Sequence, residues 1–129
     1  MKYLGIDFGL KHLGISLAEG PLAQPLSQIT YQSFSQAINA LNKLCQDHQI
    51  KAIVIGLPEG KLASKVKIFA KKITLANNLP VYFQDETLTT KEAQLKLLAA
   101  NAPLKKRKLD HQAAATLILQ AYLDESDSN

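Results

Sequence analysis

The run from Ala52 to Ile55 restricts the possible folds of this chain more than any other segment. It is an unbroken apolar series, mainly β-branched, and Gly56 and Pro58 follow it closely. A strand with one face in water alternates apolar and polar residues, whereas an unbroken apolar run of this length predicts a strand that is covered on both faces. The chain must therefore supply helices for both sides of a central, parallel strand.

Three further strands are predicted before this central strand. Lys2 to Asp7 is a short apolar run, Leu13 to Ala18 is another, and a turn around Lys11 connects them into a hairpin. The third strand, Leu22 to Thr30, is expected at an edge of the sheet, because Pro25 cannot donate a hydrogen bond to an interior ladder.

Apolar residues at helical spacing predict helices between and after the strands. Ser33 is the expected N-cap of a helix from Phe34 to Cys45, and Ser64 is the expected N-cap of a second helix. The second helix is expected to end at Asn77, and its predicted inner face consists of Val66, Phe69, Ala70 and Ile73. A strand from Val81 to Gln84 should follow it. Two more helices are predicted, from Thr90 to Ala100 and from Asp110 to Leu123. This order predicts an α/β fold, with one mixed five-stranded sheet and helices on both faces.

Length and composition indicate one cytoplasmic domain. From the 129 residues we expect a single domain of residues 1–123 and a frayed acidic tail of residues 124–129. No apolar stretch approaches the roughly 18 to 20 residues that span a bilayer, and the apolar start is too short for a signal peptide, so no membrane partner is expected. Cys45 is the single cysteine, which excludes an intramolecular disulfide and predicts a buried thiol in a reducing compartment.

Charge is distributed unevenly along the chain. The segment from Lys61 to Lys108 contains 11 Lys or Arg and 3 acids, a net charge of +8, whereas the rest of the chain carries −4. This asymmetry is typical of a protein that binds a polyanion, although a solvated, lysine-rich surface is an equally good interpretation of charge alone. The candidate nucleic-acid contacts are Lys61, Lys65, Lys72, Lys105, Lys106, Arg107 and Lys108. Because Trp is absent and the phenylalanines lie in apolar contexts, we expect binding to the backbone rather than stacking of bases.

Four acidic residues occur at three places where strands or helices are predicted to end or begin. Asp7 closes the first strand, Asp85 and Glu86 follow the last one, and Asp110 opens the final helix. Ligands of open α/β sheets bind at the carboxyl ends of strands, so these positions are candidates for a site. Each has a structural alternative when taken singly, since Asp7 can cap a turn and Asp110 can be a helix N-cap.

Four ordered blocks of sequence resemble the YqgF or RuvX family of ribonuclease H-like proteins, which are related to Holliday junction resolvases. The blocks are Asp7-Phe8-Gly9 with Lys11 and Gly14, Val54 to Pro58, Asp85-Glu86 with Leu88-Thr89, and Leu109-Asp110 with Ala113-Ala114 and Ile118-Leu119. The resemblance covers nearly the whole chain. It implies a ribonuclease H-like fold and a hydrolase that acts on ester bonds, namely a nuclease that processes the 5′ end of precursor 16S ribosomal RNA.

The resemblance also implies that Asp7, Glu86 and Asp110 form an acidic triad that binds Mg²⁺ or Mn²⁺. Three ionised carboxylates would repel one another by about 4 kcal/mol per pair at roughly 4 Å and an effective dielectric near 20. Two divalent cations relieve this repulsion and can also activate a water molecule and stabilise the leaving oxygen. We hypothesise that Asp7 bridges both ions and that Lys11 lies near the attacked phosphate. Asp85 stays an alternative to Glu86, because neighbouring residues of a strand point to opposite faces.

The chain departs from the family pattern at two places. Thr87 stands where the family usually has Arg, so a phosphate-binding guanidinium is missing there or is supplied by another residue such as Arg107. The loop from Glu59 to Ser64 is shorter than usual and lacks the family's Asp-Gly element, which puts substrate positioning there in doubt.

Other functions are compatible with these residues. A Holliday junction resolvase-like DNA nuclease and a non-catalytic RNA-binding or ribosome-assembly module are the main alternatives, and an actin-like ATPase is disfavoured because it needs two such domains. His111 beside Asp110 is a minor candidate for proton transfer, and the three histidines are too scattered to indicate zinc. RNA or DNA as substrate, endo- or exonucleolytic cleavage, and a monomer or a weak homodimer all stay open.

Overall fold

The computed structural model describes residues 1–85 and 110–127. Their five strands form one sheet in the order β3-β2-β1-β4-β5. The elements are β1 (Lys2–Phe8), β2 (His12–Glu19), β3 (Ala23–Thr30), α1 (Phe34–Asp47), β4 (Ala52–Leu57), α2 (Leu62–Asn77), β5 (Val81–Asp85) and α3 (His111–Asp127). Strands β1, β2 and β3 pair antiparallel, whereas β4 pairs parallel with both β1 and β5. The predicted mixed five-stranded sheet is thereby confirmed.

The predicted positions of the central and edge strands are correct. Strand β4 lies between β1 and β5, and its residues Ala52 to Ile55 are fully buried, as expected for a strand covered on both faces. Strand β3 forms one edge of the sheet, and Pro25 pairs with Ser16 next to a register shift. An edge position and an irregular register are where a strand tolerates proline, which has no N–H to donate.

Two hydrophobic cores lie on opposite faces of the sheet, so helices cover both faces as predicted. The larger core, between the sheet and helices α1 and α2, includes Leu4, Ile6, Phe8, Ile15, Leu41, Ile53, Ile55 and Phe69. The smaller core, between the sheet and α3, consists of Ala18, Val54, Ile118, Leu119 and Leu123. Because side chains alternate along a strand, the larger core takes Leu4, Ile6 and Phe8 of β1, and Asp7 points to the face that α3 covers.

The helix starts agree with the sequence for α1 and disagree for α2. Ser33 caps α1, since its side chain accepts a hydrogen bond from Gln36 N at 3.2 Å. Ser64 as the N-cap of α2 is wrong: the helix begins at Leu62, and Lys61 in the N-cap position makes no capping bond with its side chain. The cause is a turn at Gly60, where φ is 83° and the carbonyl oxygen already accepts from Ala63 N. The predicted inner face of α2 is confirmed, because all four of its residues are buried.

Helix α3 begins where predicted and extends farther. Asp110 is its N-cap, with Oδ1 accepting from Ala113 N at 2.7 Å. The predicted end at Leu123 is wrong, because the helix continues through Asp127 and Gln84 Nε2 donates to Glu125 Oε1 at 3.1 Å. The division into residues 1–123 and 124–129 stays a prediction, and the predicted helix of residues 90–100 lies outside the described residues. No described helix combines the length and apolar character needed to cross a membrane.

The single cysteine occupies the apolar position that the sequence predicts. Cys45 lies on the inner side of α1 and is 6% exposed. Burial raises the pKa of its thiol to about 11, so the thiol is protonated and unreactive at neutral pH.

We expect the aromatic centre of the larger core to dominate stability. The ring of Phe69 packs against those of Phe8 and Phe34, with centroid separations of 5.2 and 5.1 Å, and its side chain is fully buried. Phe69→Ala should lower the free energy of unfolding by about 3–5 kcal/mol, since it leaves a cavity. The neighbouring Ile68 is 52% exposed, so Ile68→Ala is a matched control that should cost less than about 1 kcal/mol. Urea unfolding measures both, and equal losses would contradict the described packing.

Candidate active site at the carboxyl end of β1

Asp7 is a buried carboxylate with a specific partner. The residue lies near the end of β1 and is 5% exposed. Its Oδ2 accepts a hydrogen bond from His111 Nδ1 at 2.8 Å, across 104 positions of the chain. Burial of an ionised carboxylate is costly unless it is paired or hydrogen-bonded, so this contact helps to keep Asp7 in the interior.

Glycines in the hairpin allow the first turn of α3 to approach Asp7. Gly14 of β2 pairs with Asp7 in the sheet, and a Cβ at Gly14 would lie 1.8 Å from the carbonyl oxygen of His111. One turn farther along, Ser16 Oγ donates to the carbonyl oxygen of Ala115 at 2.8 Å, a buried bond that joins β2 to the helix. The close contact between hairpin and helix therefore requires the absence of a side chain at position 14.

Asp110 shares this end of the sheet with Asp7. It directly precedes His111, and it is exposed. Its Oδ1 is the N-cap acceptor of α3, but a carboxylate offers about four lone-pair sites, so the cap leaves acceptor capacity. The structure thus brings together the parts of the chain that carry two of the three predicted acids, whereas Glu86 lies outside the described residues.

Asp85 lies on the opposite face of the sheet from Asp7. In the parallel pairing of β4 and β5, Asp85 is the partner of Leu57, which packs against the larger core. Its neighbour Gln84 is buried and bonded to Glu125 of α3, as the alternation of side chains requires. The face that holds Asp7 is therefore the face of Gln84, and Asp85 does not share it.

Two of the described acidic residues offer the kind of ligand atom that a hard divalent cation binds. Asp7 and Asp110 offer carboxylate oxygens, which Mg²⁺ and Mn²⁺ prefer. Residues 1–85 and 110–127 contain no group of three His, Cys, Asp or Glu side chains placed to hold a metal ion. The third predicted ligand, Glu86, lies outside that part of the chain.

The predicted phosphate-binding residues lie at different places relative to the carboxyl end of β1. Lys11 is exposed in the turn between β1 and β2, close to the end of β1. Lys61 precedes α2 at the same edge of the sheet, Lys65 lies one turn into that helix, and all are exposed. Lys72 is 11 residues beyond Lys61, about 16 Å along the helix axis. The basic residues 105–108 lie outside the described residues.

Two residues around the end of β1 have weak sequence signatures or none. His111 was a minor candidate, yet it contacts the Asp7 carboxylate, and its ring centroid is 6.0 Å from that of His12. Tyr31 belongs to no sequence motif, but its hydroxyl donates to the carbonyl oxygen of Gly9 and ties the hairpin turn to the end of β3. Burial raises the pKa of the Tyr31 hydroxyl, which keeps it protonated as the donor.

Solved structures that are similar to this fold include Holliday junction resolvases. The chain aligns over its full length with 97% of RuvC from Thermus thermophilus in complex with a Holliday junction substrate, at a TM-score of 0.67 and 17% identity. Fowlpox virus resolvase bound to Holliday junction DNA aligns with 98% of this chain and 99% of its own, at a TM-score of 0.62 and 14% identity. This likeness confirms the predicted ribonuclease H-like fold.

Sequence comparison defines the family. Residues 1–125 match the family described as "RuvX: Holliday junction resolvase". The "Putative pre-16S rRNA nuclease" of Syntrophus aciditrophicus is 38% identical, over 96% of this chain and 89% of the relative. The protein of the same description from Dictyoglomus thermophilum is also 38% identical, over 98% of this chain and 97% of the relative. The chain belongs to the RuvX family, as the resemblance implied.

We expect Gly14→Ala to displace the start of α3. The added Cβ would meet the carbonyl oxygen of His111, and the overpacking should cost about 1–3 kcal/mol or more of the free energy of unfolding. Gly20→Ala is the matched control, since it places the same methyl group in open space at φ 90°, with a backbone cost of about 1–2 kcal/mol. NMR of the His111 imidazole should show a changed resonance only in the Gly14 variant. An unchanged His111 resonance there would contradict the described contact.

Proposed function

We propose that this protein is a metal-dependent nuclease that hydrolyses phosphodiester bonds of RNA, with the 5′ end of precursor 16S ribosomal RNA as its substrate in the cytoplasm. The description of its curated relatives supports the substrate, and membership in the RuvX family supports nuclease chemistry. The observation that carries the proposal is the buried Asp7 carboxylate, which the first turn of α3 covers at the carboxyl end of a central strand. A residue that only caps a turn can stay exposed to solvent, whereas a buried carboxylate at the carboxyl end of a strand is typical of a functional site.

The proposal assigns one role to each acidic residue. Asp7, Glu86 and Asp110 would hold two Mg²⁺ or Mn²⁺ ions, which activate the attacking water and stabilise the leaving oxygen when bound. Glu86 is favoured over Asp85, because Asp85 lies on the face of the sheet opposite to Asp7. Lys11 would bind the phosphate at the hairpin turn, and His111 would orient the Asp7 carboxylate through Nδ1.

Cleavage of branched DNA is the second candidate activity. The family description names a Holliday junction resolvase, and the structures that share the fold include resolvases bound to junction DNA. The two candidates are separated by measuring cleavage of precursor ribosomal RNA and of a four-way DNA junction. Each substrate is compared with an unbranched duplex, in Mg²⁺, in Mn²⁺ and in EDTA. Cutting that persists in EDTA would overturn the metal-dependent mechanism for either substrate.

Substitutions of Asp7 and Asp110 separate catalysis from helix capping. Asp7→Asn and Asp110→Asn should each lower the cleavage rate at least about 100-fold, because a preorganised charge is lost at the reacting centre. Asp110→Asn should keep most of the stability, since Asn caps a helix as well as Asp does, while Asp110→Ala should cost about 0.5–2 kcal/mol. Cleavage rates and thermal unfolding measure the two effects. Full activity in Asp110→Asn, with lost stability in Asp110→Ala, would show that Asp110 is a cap alone.

His111 should act as a positioning residue for Asp7. His111→Asn keeps an N–H near the place of Nδ1 and should retain activity within a few-fold, whereas His111→Leu removes the donor. We expect the leucine variant to lose about 10- to 100-fold in metal affinity or kcat, as when a residue that orients a metal ligand is removed. Mn²⁺ titration together with kcat and KM is the measurement. Equal behaviour of the two variants would contradict the role of the hydrogen bond.

A further inference from the structure

A cleft of about 510 Å³, lined by both apolar and polar groups, lies at the turn between β1 and β2. Its lining consists of Leu10, Lys11 and His12 from the hairpin and Thr30, Tyr31 and Gln32 from the end of β3. The two segments are neighbours because His12 pairs with Thr30 in the sheet. The volume falls within the roughly 300–1,000 Å³ typical of sites for small organic ligands.

The walls of this cleft are fixed by hydrogen bonds within the protein. Tyr31 N donates to the carbonyl oxygen of Lys11 at 3.0 Å, and the Tyr31 hydroxyl donates to that of Gly9. His12 Nδ1 lies 3.0 Å from Thr30 Oγ1, which sets the orientation of the imidazole ring. The backbone of the two segments and the side chains of Tyr31, His12 and Thr30 are therefore in place before a ligand arrives, which lowers the cost of binding.

The chemical groups of the cleft complement a nucleotide. Lys11 is a cation, and the six lining residues include no acid that would repel a phosphate. Leu10 is 60% exposed, and with the His12 ring it offers apolar and aromatic surface for a base. Thr30 and Gln32 add a hydroxyl and an amide, which can bond to a base edge or to ribose.

The cleft is also next to the proposed centre of cleavage. The His12 ring is 6.0 Å from the His111 ring, and His111 is hydrogen-bonded to Asp7. We propose that this cleft binds one unpaired nucleotide of the substrate strand, adjacent to the phosphodiester that is cut. A paired base would have its hydrogen-bonding edge occupied by its partner, whereas an unpaired base presents that edge to the protein. The inference rests on the proposed nuclease function and specifies its substrate as single-stranded at the cut.

Binding to an uncleaved strand tests this site. In the Asp7→Asn background, we would measure the affinity for a single-stranded RNA and for an RNA duplex that contains the same sequence. Leu10→Ala and Gln32→Ala should each raise the Kd for the single strand at least fivefold and change the Kd for the duplex less than twofold. Leu22→Ala and Gln24→Ala are matched controls at the other end of the β2 and β3 pair, where Leu22 is 73% exposed, and should change neither Kd more than twofold.

A titration with mononucleotides provides a second measurement on the wild-type protein. A nucleoside monophosphate should shift the NMR amide resonances of the six lining residues at concentrations where inorganic phosphate does not. Three outcomes would each overturn the inference. The cleft variants and the control variants could change the Kd equally, or the cleft variants could lose affinity equally for single strand and duplex. Inorganic phosphate could also cause the same amide shifts as the nucleotide. If the wild type cleaves RNA and the cleft variants bind the single strand with unchanged affinity, only the nucleotide site is overturned, and the nuclease proposal stands. A nucleotide bound in the cleft of a protein that cuts nothing supports the cleft and overturns the nuclease proposal.

Discussion

The contact between the first turn of α3 and the β1–β2 hairpin is the interaction on which the rest of the site depends. It combines a hydrogen bond from His111 to the buried Asp7 carboxylate with a backbone approach that only glycine at position 14 permits. The two parts support each other, since the close approach of the helix places His111 within reach of the Asp7 carboxylate. The mixed sheet brings this contact to the carboxyl end of a central strand, where α/β proteins bind ligands.

The two faces of the sheet bury different kinds of side chains. The face under α1 and α2 holds the large core with its cluster of phenylalanines, and that core accounts for most of the buried apolar side chains. The face under α3 has a smaller core and carries Asp7, Ser16 and Gln84, which are the buried polar residues of the described chain. Most of the apolar burial is thus on one side of the sheet, while the buried polar side chains of the described residues lie on the other. Alternation along β1 makes this separation possible, because Asp7 is flanked by Ile6 and Phe8 of the opposite face.

Much of the fold could be predicted from local patterns, whereas the geometry of the site could not. The apolar run of β4 and the capping side chain of Ser33 act within a few residues, so the sequence alone identifies them. The start of α2 was misplaced because the turn at Gly60, with its positive φ, competes with the Ser64 signal and has no comparable signature. The partnership of Asp7 and His111 joins residues 104 positions apart, and no local pattern encodes it. The position of Asp110 before the final helix predicts the N-cap that the structure shows, whereas its role as a metal ligand stays a prediction that the family resemblance implies.

The same long separation has a consequence for the timing of activity in the cell. Residues near position 7 leave the ribosome early in translation, but the helix that completes their surroundings is made more than 100 residues later. A nascent chain that stops short of α3 lacks the His111 ring that bonds to the Asp7 carboxylate. The complete surroundings of Asp7 can therefore form only after α3 has been synthesised and has packed on the sheet.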